Sequence, residues 1–438
     1  MPRETLISLD RSTTATCETA VFSSDFSVFD KFSGPYSVMG SCRSIPATSF
    51  RANSLLLKTQ THARRFLFNA TNTLVTVPAG TILANLFEHL VLNGLSLGSV
   101  PSYPNVTIGG CIAANVHGQN HFREGCFRNQ VESLTIFHPD RGVRLLSRTS
   151  DPELFDLTIG GFGLTGVILD ATLRLHAIPS RLLDVTVKAF DSLYECYELL
   201  ISQKEQFDYF HTWCDLANSA SGQERGFIQL ARFCPTASSE IHRLNAHDSG
   251  RTHLRFCPNF FGTSAIKQVN KLYYLMNVRN RKTTKTLGDF IFPSMNRLYY
   301  FSLFGPAGLC EHQVLIPHAS VKQYIKSFRS LMREHAPLIP LCHMKLFHGS
   351  QNSISFDGSG FCLAIHVPTN SKSTAFLQAL DKLDNECGCI ANIAKDSRLS
   401  ATSIETQYPQ LDSFRNSLAH HDPTLKFQTT ISDTLFRT

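Results

Sequence analysis

The sequence has little charge for its length. Asp, Glu, Lys and Arg make up 17% of its 438 residues, whereas an average globular domain contains about 25%. Disordered chains and coiled coils are richer in charge, which excludes both as main descriptions of this protein. The net charge of +6 is smaller than that of a dedicated nucleic-acid-binding protein. We therefore expect a globular protein that binds no nucleic acid.

Long hydrophobic runs and paired cysteine motifs are also missing. No apolar stretch is long enough to span a bilayer. Glu4 and Asp10 interrupt residues 1–13 and no apolar segment follows them, so we expect no secretory signal. The 13 cysteines form no CxxC pair, which argues against a structural zinc site or a disulfide framework. We expect a cytoplasmic protein without a metal site.

Short strand-like and helix-like segments alternate along the chain. Residues 74–81 read as a strand that ends in a turn, and residues 82–91 follow with helical spacing. The clearest helix is predicted over 320–336, where apolar residues share one face. Asp151 and Pro152 predict a capped helix start. This interleaving indicates α+β or α/β architecture.

Residues 161–166, GFGLTG, match the GxGxxG pattern of dinucleotide-binding proteins. That fingerprint requires a strand before it and a helix after it, whereas here a helix is predicted before it and a strand after it. The glycines therefore mark either a tight turn without a ligand or a close approach of the backbone to a ligand.

Three other polar features have both a functional and a purely structural interpretation. His117, His121 and Glu124 could share a helix face and bind zinc, but Gly118 weakens that helix and hydrogen bonding in a polar pocket is the alternative. Residues 277–288 are basic and predict a mobile loop, either solvated or touching phosphate or an anionic membrane. Lys395, beside Asp396, is either a surface residue or a functional one.

Six separate segments together resemble one known family. The segments are NVTIGGCIAANVHGQNH, DPELFDLTIGGFGLTGVI, LFGPAGLCEHQVLIP, KLFHGSQNSISFDGSGFCLAIHVP, IAKDSR and YPQLDSFRNSLAHHDP, in this order. They are similar to FAD-linked oxidases of the vanillyl-alcohol oxidase superfamily, and within it to the oxidase subunits of decaprenylphosphoryl-β-D-ribose 2′-epimerases. The resemblance runs from about residue 40 to the last residue.

The resemblance implies an α+β fold with two parts. A two-subdomain FAD-binding domain of the PCMH type would comprise residues 1–179, and residues 390–438 would return to it. Residues 180–389 would form an α+β substrate domain with an antiparallel sheet. The implied cofactor is FAD, bound non-covalently because Arg43 stands where some relatives carry a flavin-tethering histidine.

The resemblance also implies which residues contact the cofactor. In the family, backbone N–H groups of glycine-containing loops bind the pyrophosphate, and neighbouring segments pass beside the flavin or the adenine and ribose. The matching positions are Gly40, Arg43 and Ser44 in the first loop, Thr107, Ile108, Gly109 and Gly110 in the second, Ala114, Asn115, Val116 and His117 beside the flavin, Gly166 and Ile168 beside the adenine or ribose, and Asn392 near the flavin.

A second set of matching positions belongs to the substrate pocket. These are Gln119, Trp213, Gln313, Lys345 and Ala364, with Lys395 and His117 as the implied catalytic residues. Trp213 matches a tryptophan in a mobile segment that covers the substrate. Ala364 matches the position of a reactive thiol in some relatives, while Cys362 reads as a small buried apolar residue.

The sequence also departs from the family pattern in ways that affect the cofactor. Cys42 replaces a glycine of the first loop, Ile45-Pro46-Ala47 replaces Tyr-Gly-Asp, and Asn392 replaces an aromatic residue. These changes motivate one of three hypotheses, a catalytically degenerate relative that keeps the fold as an interaction module.

A second hypothesis is an aldonolactone oxidase or a secondary-metabolite alcohol oxidase on the same fold. The GHS-type loop that is usual in lactone oxidases is absent from this sequence.

The first hypothesis is an FAD-dependent oxidase that converts a secondary sugar hydroxyl to a ketone by hydride transfer to flavin. The sugar would be linked to a polyprenyl phosphate or a nucleotide, in cell-wall or glycolipid biosynthesis. A separate short-chain reductase would complete an epimerisation. Lys345 and the basic 279–285 segment would hold the phosphate, and the same segment would give peripheral contact with the membrane.

Overall fold

Strands and helices of this protein assemble into four β-sheets with helices packed against them. The computed structural model describes residues 1–22, 25–59, 66–218, 221–235, 257–279, 282–293 and 298–436. Within these ranges the sheets have four, five, two and eight strands. This mixture of helices with largely antiparallel sheets confirms the predicted α+β class.

The four-stranded sheet is built near the N-terminus. Its strands are β1 (Arg3–Ile7), β2 (Thr14–Val21), β3 (Tyr36–Met39) and β4 (Leu55–Lys58), in the order β1-β2-β4-β3. β4 runs parallel to both of its neighbours. Leu55, Leu56 and Leu57 are completely buried, because both faces of this central parallel strand are covered.

The five-stranded antiparallel sheet follows in the chain. It contains β5 (Leu67–Phe68), β6 (Leu74–Pro78), β8 (Val131–His138), β9 (Gly142–Ser147) and β10 (Val167–Arg174), in the order β5-β6-β10-β8-β9. The helices α1 (Leu83–Leu92), α2 (Ile108–Ala113) and α4 (Pro152–Thr158) share its core, whereas α3 (His121–Glu124) packs against β17 of the largest sheet. A small ribbon pairs β7 (Leu95–Ser96) with β11 (His176–Ala177).

The eight-stranded antiparallel sheet is the largest. It contains β12 (Leu182–Phe190), β13 (Tyr209–Asp215), β14 (Arg225–Phe233), β15 (Lys282–Thr286), β16 (Leu309–Pro317), β17 (Leu341–Phe347), β18 (Gly360–Pro368) and β19 (Ile390–Ala391). Their order is β15-β12-β14-β13-β17-β18-β16-β19. The helices in this part are α5 (Leu193–Gln203), α6 (Ala265–Arg279), α7 (Leu287–Ile291), α8 (Tyr299–Ser302), α9 (Val321–His335) and α10 (Ser371–Glu386).

One face of the eight-stranded sheet is apolar and lies under α5, α9 and α10. In α9, Val321, Tyr324, Ile325, Phe328 and Met332 are buried, as the helical spacing predicts. They join a core with the apolar side chains of β13, β14, β16, β17 and β18. The opposite face of the sheet is therefore the one left to carry polar groups.

The last three helices return to the N-terminal sheets. They are α11 (Ala401–Gln407), α12 (Leu411–His421) and α13 (Thr430–Leu435). Gln428 N–H donates to Tyr36 O at 2.8 Å, and the Arg51 guanidinium pairs with Asp433 at 2.8 Å. The domain limits at 179 and 389 stay predictions, although the first two sheets take no strand from beyond residue 174 and the largest takes strands from 182 to 391.

Two local predictions are wrong. Residues 277–288 are not one loop, since α6 continues to Arg279 and Lys282–Thr286 is an edge strand paired with β12; Arg281 lies outside the described residues. The sequence KTTKT suits an edge strand, because its threonines favour β-structure and Lys282 is exposed. Asp151 precedes α4 but has φ +54° and makes no capping hydrogen bond.

The helix-before-strand order around GFGLTG is confirmed. The motif lies between α4 and β10. Among the described residues no helix is both long and apolar enough to cross a membrane.

Candidate active site

Two glycine-bearing loops meet at the N-terminal end of α2. A methyl group on Gly40 would lie 2.1 Å from Thr107 Oγ1, so the loop after β3 touches the cap of α2 directly. Gly109 is similarly close to Ala79, where a methyl group would be 3.2 Å from the Ala79 carbonyl oxygen. The structure thus brings together the two loops that the resemblance assigns to the pyrophosphate, including Arg43 and Ser44 in the first.

The backbone donors of the second loop are used within the protein. Ile108 N–H donates to Thr81 O at 2.9 Å and Gly109 N–H to Ala79 O at 2.7 Å, while Gly110 N–H donates to Thr107 Oγ1 at 3.1 Å. These three N–H groups thus have partners within the protein, and the assignment of residues 107–110 to the pyrophosphate stays a prediction. Glycine at positions 109 and 110 would let a ligand approach the main chain closely.

Unpartnered buried side-chain donors lie at both ends of α2. The Ser41 and Thr81 hydroxyls and the Asn115 amide nitrogen are buried and have no hydrogen-bond partner among the described residues. Buried polar groups are normally paired, so three orphans around one short helix indicate a polar ligand. This donor set suits the phosphates and hydroxyls of FAD, which the resemblance places here.

Strained backbone surrounds the same helix. Cys42 has φ +52°, Asn115 +40° and Phe162 +54°, values that favour glycine. Cys42 thus keeps a glycine-like conformation where the family has glycine. Phe162 N–H donates to Ala113 O at 2.8 Å, which ties the 160–163 turn to the end of α2. Such strain clusters at ligand sites.

Some of the predicted cofactor positions have packing roles instead. A methyl group on Gly166 would lie 2.4 Å from Phe137 O, so this glycine lets β10 lie close to β8. Ile168 pairs with Ile136 and is buried in the core. Ile45 and Ala47, which replace family residues of the first loop, are also buried; the altered loop residues therefore point into the core.

The polar face of the eight-stranded sheet forms the second half of the site. Residues at alternate positions of a strand share a face, and so do residues paired across strands. The register therefore places six positions side by side: Glu311 and Gln313 on β16, His343 and Lys345 on β17, and Ala364 and His366 on β18.

Hydrogen bonds connect this face with the segment after α2. Asn392 Nδ2 donates to Gln313 Oε1 at 2.6 Å, and Gln313 Nε2 lies 3.5 Å from His117 Nε2. Three predicted site residues thus form one chain of contacts. On the other side of the site, Gln119 Nε2 donates to Ser102 Oγ at 3.0 Å and lies 3.4 Å from His211 Nδ1.

A buried carboxylate lies between the side chains of Lys395 and His366. Glu311 is 3.6 Å from Lys395 Nζ and 3.0 Å from His366 Nε2. Burial alone would raise the pKa of Glu311, but Lys395 and His366 hold it well below its usual range. Burial, with repulsion from Lys395, lowers the pKa of Lys345 to about 8. A lysine of this kind exchanges protons near neutral pH.

Three histidines of the site have lowered pKa values. Burial and the Lys345 charge lower the pKa of His343 to about 3 and that of His117 well below its ordinary value. Burial also lowers the pKa of His211 to about 4, with Lys285 contributing. These imidazoles therefore donate and accept hydrogen bonds without adding charge.

The His121 ring lies 6.2 Å from the His117 ring, and its two nitrogens contact other residues. His348 N–H donates to His121 Nδ1 at 3.2 Å, so the other nitrogen, Nε2, carries the proton and donates to Asp357 Oδ1 at 3.1 Å. Its ring stacks on Phe347 at 3.6 Å, and Phe347 also contacts His117. Cys126 lies 3.3 Å from His121 Nε2. Hydrogen bonds thus account for this His–Cys–Asp cluster.

One further prediction needs correction. Trp213 is not in a covering loop: it lies in β13, is 5% exposed, and packs against Phe227. The Lys285 ammonium donates to Gln229 Oε1 at 3.0 Å, and membrane contact through residues 279–285 stays a prediction.

The turn that carries Lys395 is held by a network that sequence reasoning missed. His312 lies 3.2 Å from Asp384 and 3.3 Å from Asp396, and Arg398 pairs with Asp396 at 2.6 Å. Burial alone would lower the pKa of His312, but the two carboxylates raise it to about 10. This network fixes the residue next to Lys395.

Glu311, His343 and His366 were also missed as site residues. Glu311 and Gln313 occupy alternate positions of β16 and share a face, but polar His312 stands between them, so the sequence shows no alternation there. The partners from β17, β18 and the 392–398 turn could not be assigned without the strand register.

Comparison with known proteins agrees with this geometry. Residues 27–145 match the family model described as an FAD binding domain. The chain is 27% identical to decaprenylphosphoryl-β-D-ribose oxidase of Mycolicibacterium smegmatis, over 80% of this chain and 78% of the relative. It is 31% identical to mouse (Mus musculus) L-gulonolactone oxidase over 31% of this chain and 30% of the relative. It is 32% identical to mitochondrial D-lactate dehydrogenase [cytochrome] 1 of Saccharomyces cerevisiae over 27% and 21%.

The fold, the orphan donors around α2 and these matches define the class. The chain contains an FAD-binding domain over residues 27–145 and is similar to FAD-dependent oxidoreductases of the vanillyl-alcohol oxidase superfamily. Among its relatives, the similarity to decaprenylphosphoryl-β-D-ribose oxidase covers the eight-stranded sheet as well as the FAD-binding part, since it spans four-fifths of the chain. The two other similarities are confined to less than a third of it.

Ser41→Ala tests whether the unpartnered side-chain donors around α2 form hydrogen bonds to FAD. The substitution removes a buried hydroxyl without a partner, so the FAD-free protein should be as stable as the wild type or slightly more stable. Its affinity for FAD should fall about tenfold, because the free energy of one hydrogen bond to FAD is lost. Thermal unfolding and titration of FAD-free protein with FAD measure the two effects.

Ser54→Ala is the matched control. Its hydroxyl accepts from Ser37 Oγ at 2.9 Å and donates to Arg51 O at 2.8 Å, so the variant should lose stability and keep FAD affinity. Unchanged FAD affinity in Ser41→Ala would contradict the assignment.

His312 predicts a pH dependence of stability. Its pKa in the folded protein is raised from 6.5 to about 10, so its stabilising contribution is complete below pH 6.5. That contribution is lost as the pH rises from there to about 10. The stability difference between wild type and His312→Gln should shrink across this window, by at most about 1.4 kcal/mol per pH unit. Urea unfolding of both proteins measures it, and a constant difference would refute the network.

Proposed function

We propose that this protein oxidises a secondary hydroxyl of a sugar to a ketone, with FAD as the redox cofactor. The sugar is carried on a polyprenyl phosphate or a nucleotide, and the reaction is the first half of an epimerisation. A separate short-chain reductase, which reduces the ketone, completes it. The proposed setting is glycolipid or cell-wall biosynthesis on the cytoplasmic side of a membrane.

The observation that carries this proposal is the buried polar face formed by Glu311, Lys345 and Lys395 beside His117. A poorly polar substrate would offer these groups no hydrogen bonds and would displace water from them, which is unfavourable. A hydroxyl-rich substrate with an anionic group satisfies them. The similarity to a protein named decaprenylphosphoryl-β-D-ribose oxidase, which extends across this sheet, supports the same substrate class.

Alcohol oxidation removes a proton from oxygen and a hydride from carbon. Bound FAD supplies the acceptor of the hydride. The protein must hold the hydroxyl and take up its proton. Lys395 is fixed at 3.6 Å from Glu311, so as a charged donor it orients the hydroxyl oxygen. Lys345, whose pKa is about 8, is the better proton acceptor.

The neutral imidazole of His117 orients the sugar or the cofactor edge. Its Nε2 lies 3.5 Å from Gln313 Nε2, and Gln313 is held in turn by Asn392 at 2.6 Å. Because Gln313 and Asn392 come from the substrate sheet and His117 from the FAD-binding part, this contact aligns the two halves of the site.

The aldonolactone alternative has weaker support. The similarity to L-gulonolactone oxidase covers 31% of the chain, so it supports the cofactor more than the substrate.

Anaerobic bleaching of the flavin absorbance tests the proposal. The purified protein with FAD is mixed with a polyprenyl-phosphoryl ribose, and with L-gulonolactone and D-lactate as competitors. The phosphoryl sugar should bleach the absorbance, and Lys395→Ala should slow bleaching by roughly 10²–10⁴-fold while retaining FAD. Lys382→Ala, an exposed lysine on α10, is the control. Bleaching by the lactone alone would establish the alternative, and colourless protein after FAD addition would favour the degenerate relative.

Lys345 predicts a pH profile for the same reaction. The neutral amine increases as the pH passes about 8, so the rate of anaerobic bleaching should rise through that pH and then level off. Lys345→Met should abolish the rise and lower the plateau. A variant that keeps the wild-type profile would assign the proton acceptor elsewhere.

A further inference from the structure

Helix α6 exposes apolar side chains that a helix of this kind normally buries. Of its 15 residues only Ile266 and Asn270 are buried. Leu272 and Met276 are each 60% exposed, Val269 is 44% exposed and Leu275 is 41% exposed. At 100° per residue these four side chains project from the same half of the helix. Together they form an exposed apolar stripe, here called the α6 stripe.

Helix α9 shows that the stripe is not a general property of this chain. It also has 15 residues, but it buries five large side chains against the sheet. Singly exposed apolar residues are ordinary on protein surfaces, whereas a contiguous apolar surface marks an interaction site.

The charge on α6 is entirely positive. The sequence AIKQVNKLYYLMNVR contains Lys267, Lys271 and Arg279 and no acidic residue. Lys267 and Lys271 are exposed and lie together along one side of the stripe. Apolar residues flanked by lysine and arginine are the pattern of a helix that lies in the interface of a lipid bilayer. Basic side chains also attract anionic lipid headgroups.

Helix α6 is anchored beside the candidate active site. Asn270 Nδ2 donates to Asp215 Oδ1 and to Pro340 O, both at 3.1 Å. The Tyr273 ring lies 5.0 Å from the ring of Trp213 on β13. β13 pairs with β17, the strand of His343 and Lys345. The helix therefore covers one end of the sheet face that forms the site.

We propose that α6 docks this protein on an anionic lipid bilayer, with the α6 stripe inserted in the interface and the lysines at the headgroups. The exposed residues of α6 support this docking whatever the identity of the sugar. If the substrate is lipid-linked, this orientation places the site at the membrane surface. The contact replaces the 279–285 segment as the membrane-facing element.

Sedimentation with vesicles tests the proposal on the full chain with FAD bound. The wild type should bind vesicles of phosphatidylcholine mixed with phosphatidylglycerol, bind pure phosphatidylcholine less, and bind both less at high salt. Leu272→Gln with Met276→Gln should lower partitioning roughly tenfold, because two half-exposed apolar side chains no longer insert. Lys267→Glu with Lys271→Glu should weaken binding to the anionic vesicles alone.

The matched control is Val143→Gln with Leu145→Gln. These residues are 55% and 60% exposed on β9, an edge strand of the five-stranded sheet, so the pair removes similar apolar surface elsewhere and should bind like the wild type. Flavin absorbance and melting temperature verify that each variant is folded.

Equal vesicle binding by the α6 variant and the wild type would overturn the proposal, as would no binding by either. The proposal would also be overturned if the wild type formed a dimer, the α6 variant were a monomer and neither bound vesicles. That result would assign the stripe to self-association.

Discussion

The site depends on burying charged groups between the substrate sheet and the FAD-binding part. A buried carboxylate is tolerated only when it is paired and hydrogen-bonded, and Glu311 meets this condition through Lys395 and His366. The pairing fixes Lys395, and the Lys395 charge in turn helps to lower the pKa of Lys345. The buried pair therefore positions Lys395, while burial is the main reason for the lowered pKa of Lys345 and the Lys395 charge adds to it.

The cofactor side follows a different principle. Around α2 the backbone donors are satisfied internally, and the unsatisfied groups are side chains such as Ser41 and Asn115. The left-handed conformations of Cys42 and Asn115 store strain at the places where the chain bends around the ligand space. The altered first loop thus keeps its conformation, while its apolar replacements, such as Ile45, are buried away from the site.

The two faces of the eight-stranded sheet have different roles, one in stability and the other in function. One face packs against α5, α9 and α10 and forms an apolar core. The other face carries the polar residues of the site and is covered at one end by α6, which turns its own apolar side chains to solvent. This arrangement places an amphipathic surface next to a polar pocket, which suits a substrate with an apolar carrier and a polar reacting group.

The sequence by itself determined the class of the protein. Its ordered motifs implied the superfamily and FAD, the spacing in α9 fixed the buried face of that helix, and the reversed order around GFGLTG excluded a Rossmann fingerprint, because these properties depend on neighbouring residues. The tertiary structure alone decided which distant residues meet. The approach of Lys395 to Glu311 and the burial of Trp213 follow from strand register and sheet order, and these are set by packing between segments far apart in the chain. Local spacing carries no information about such pairs.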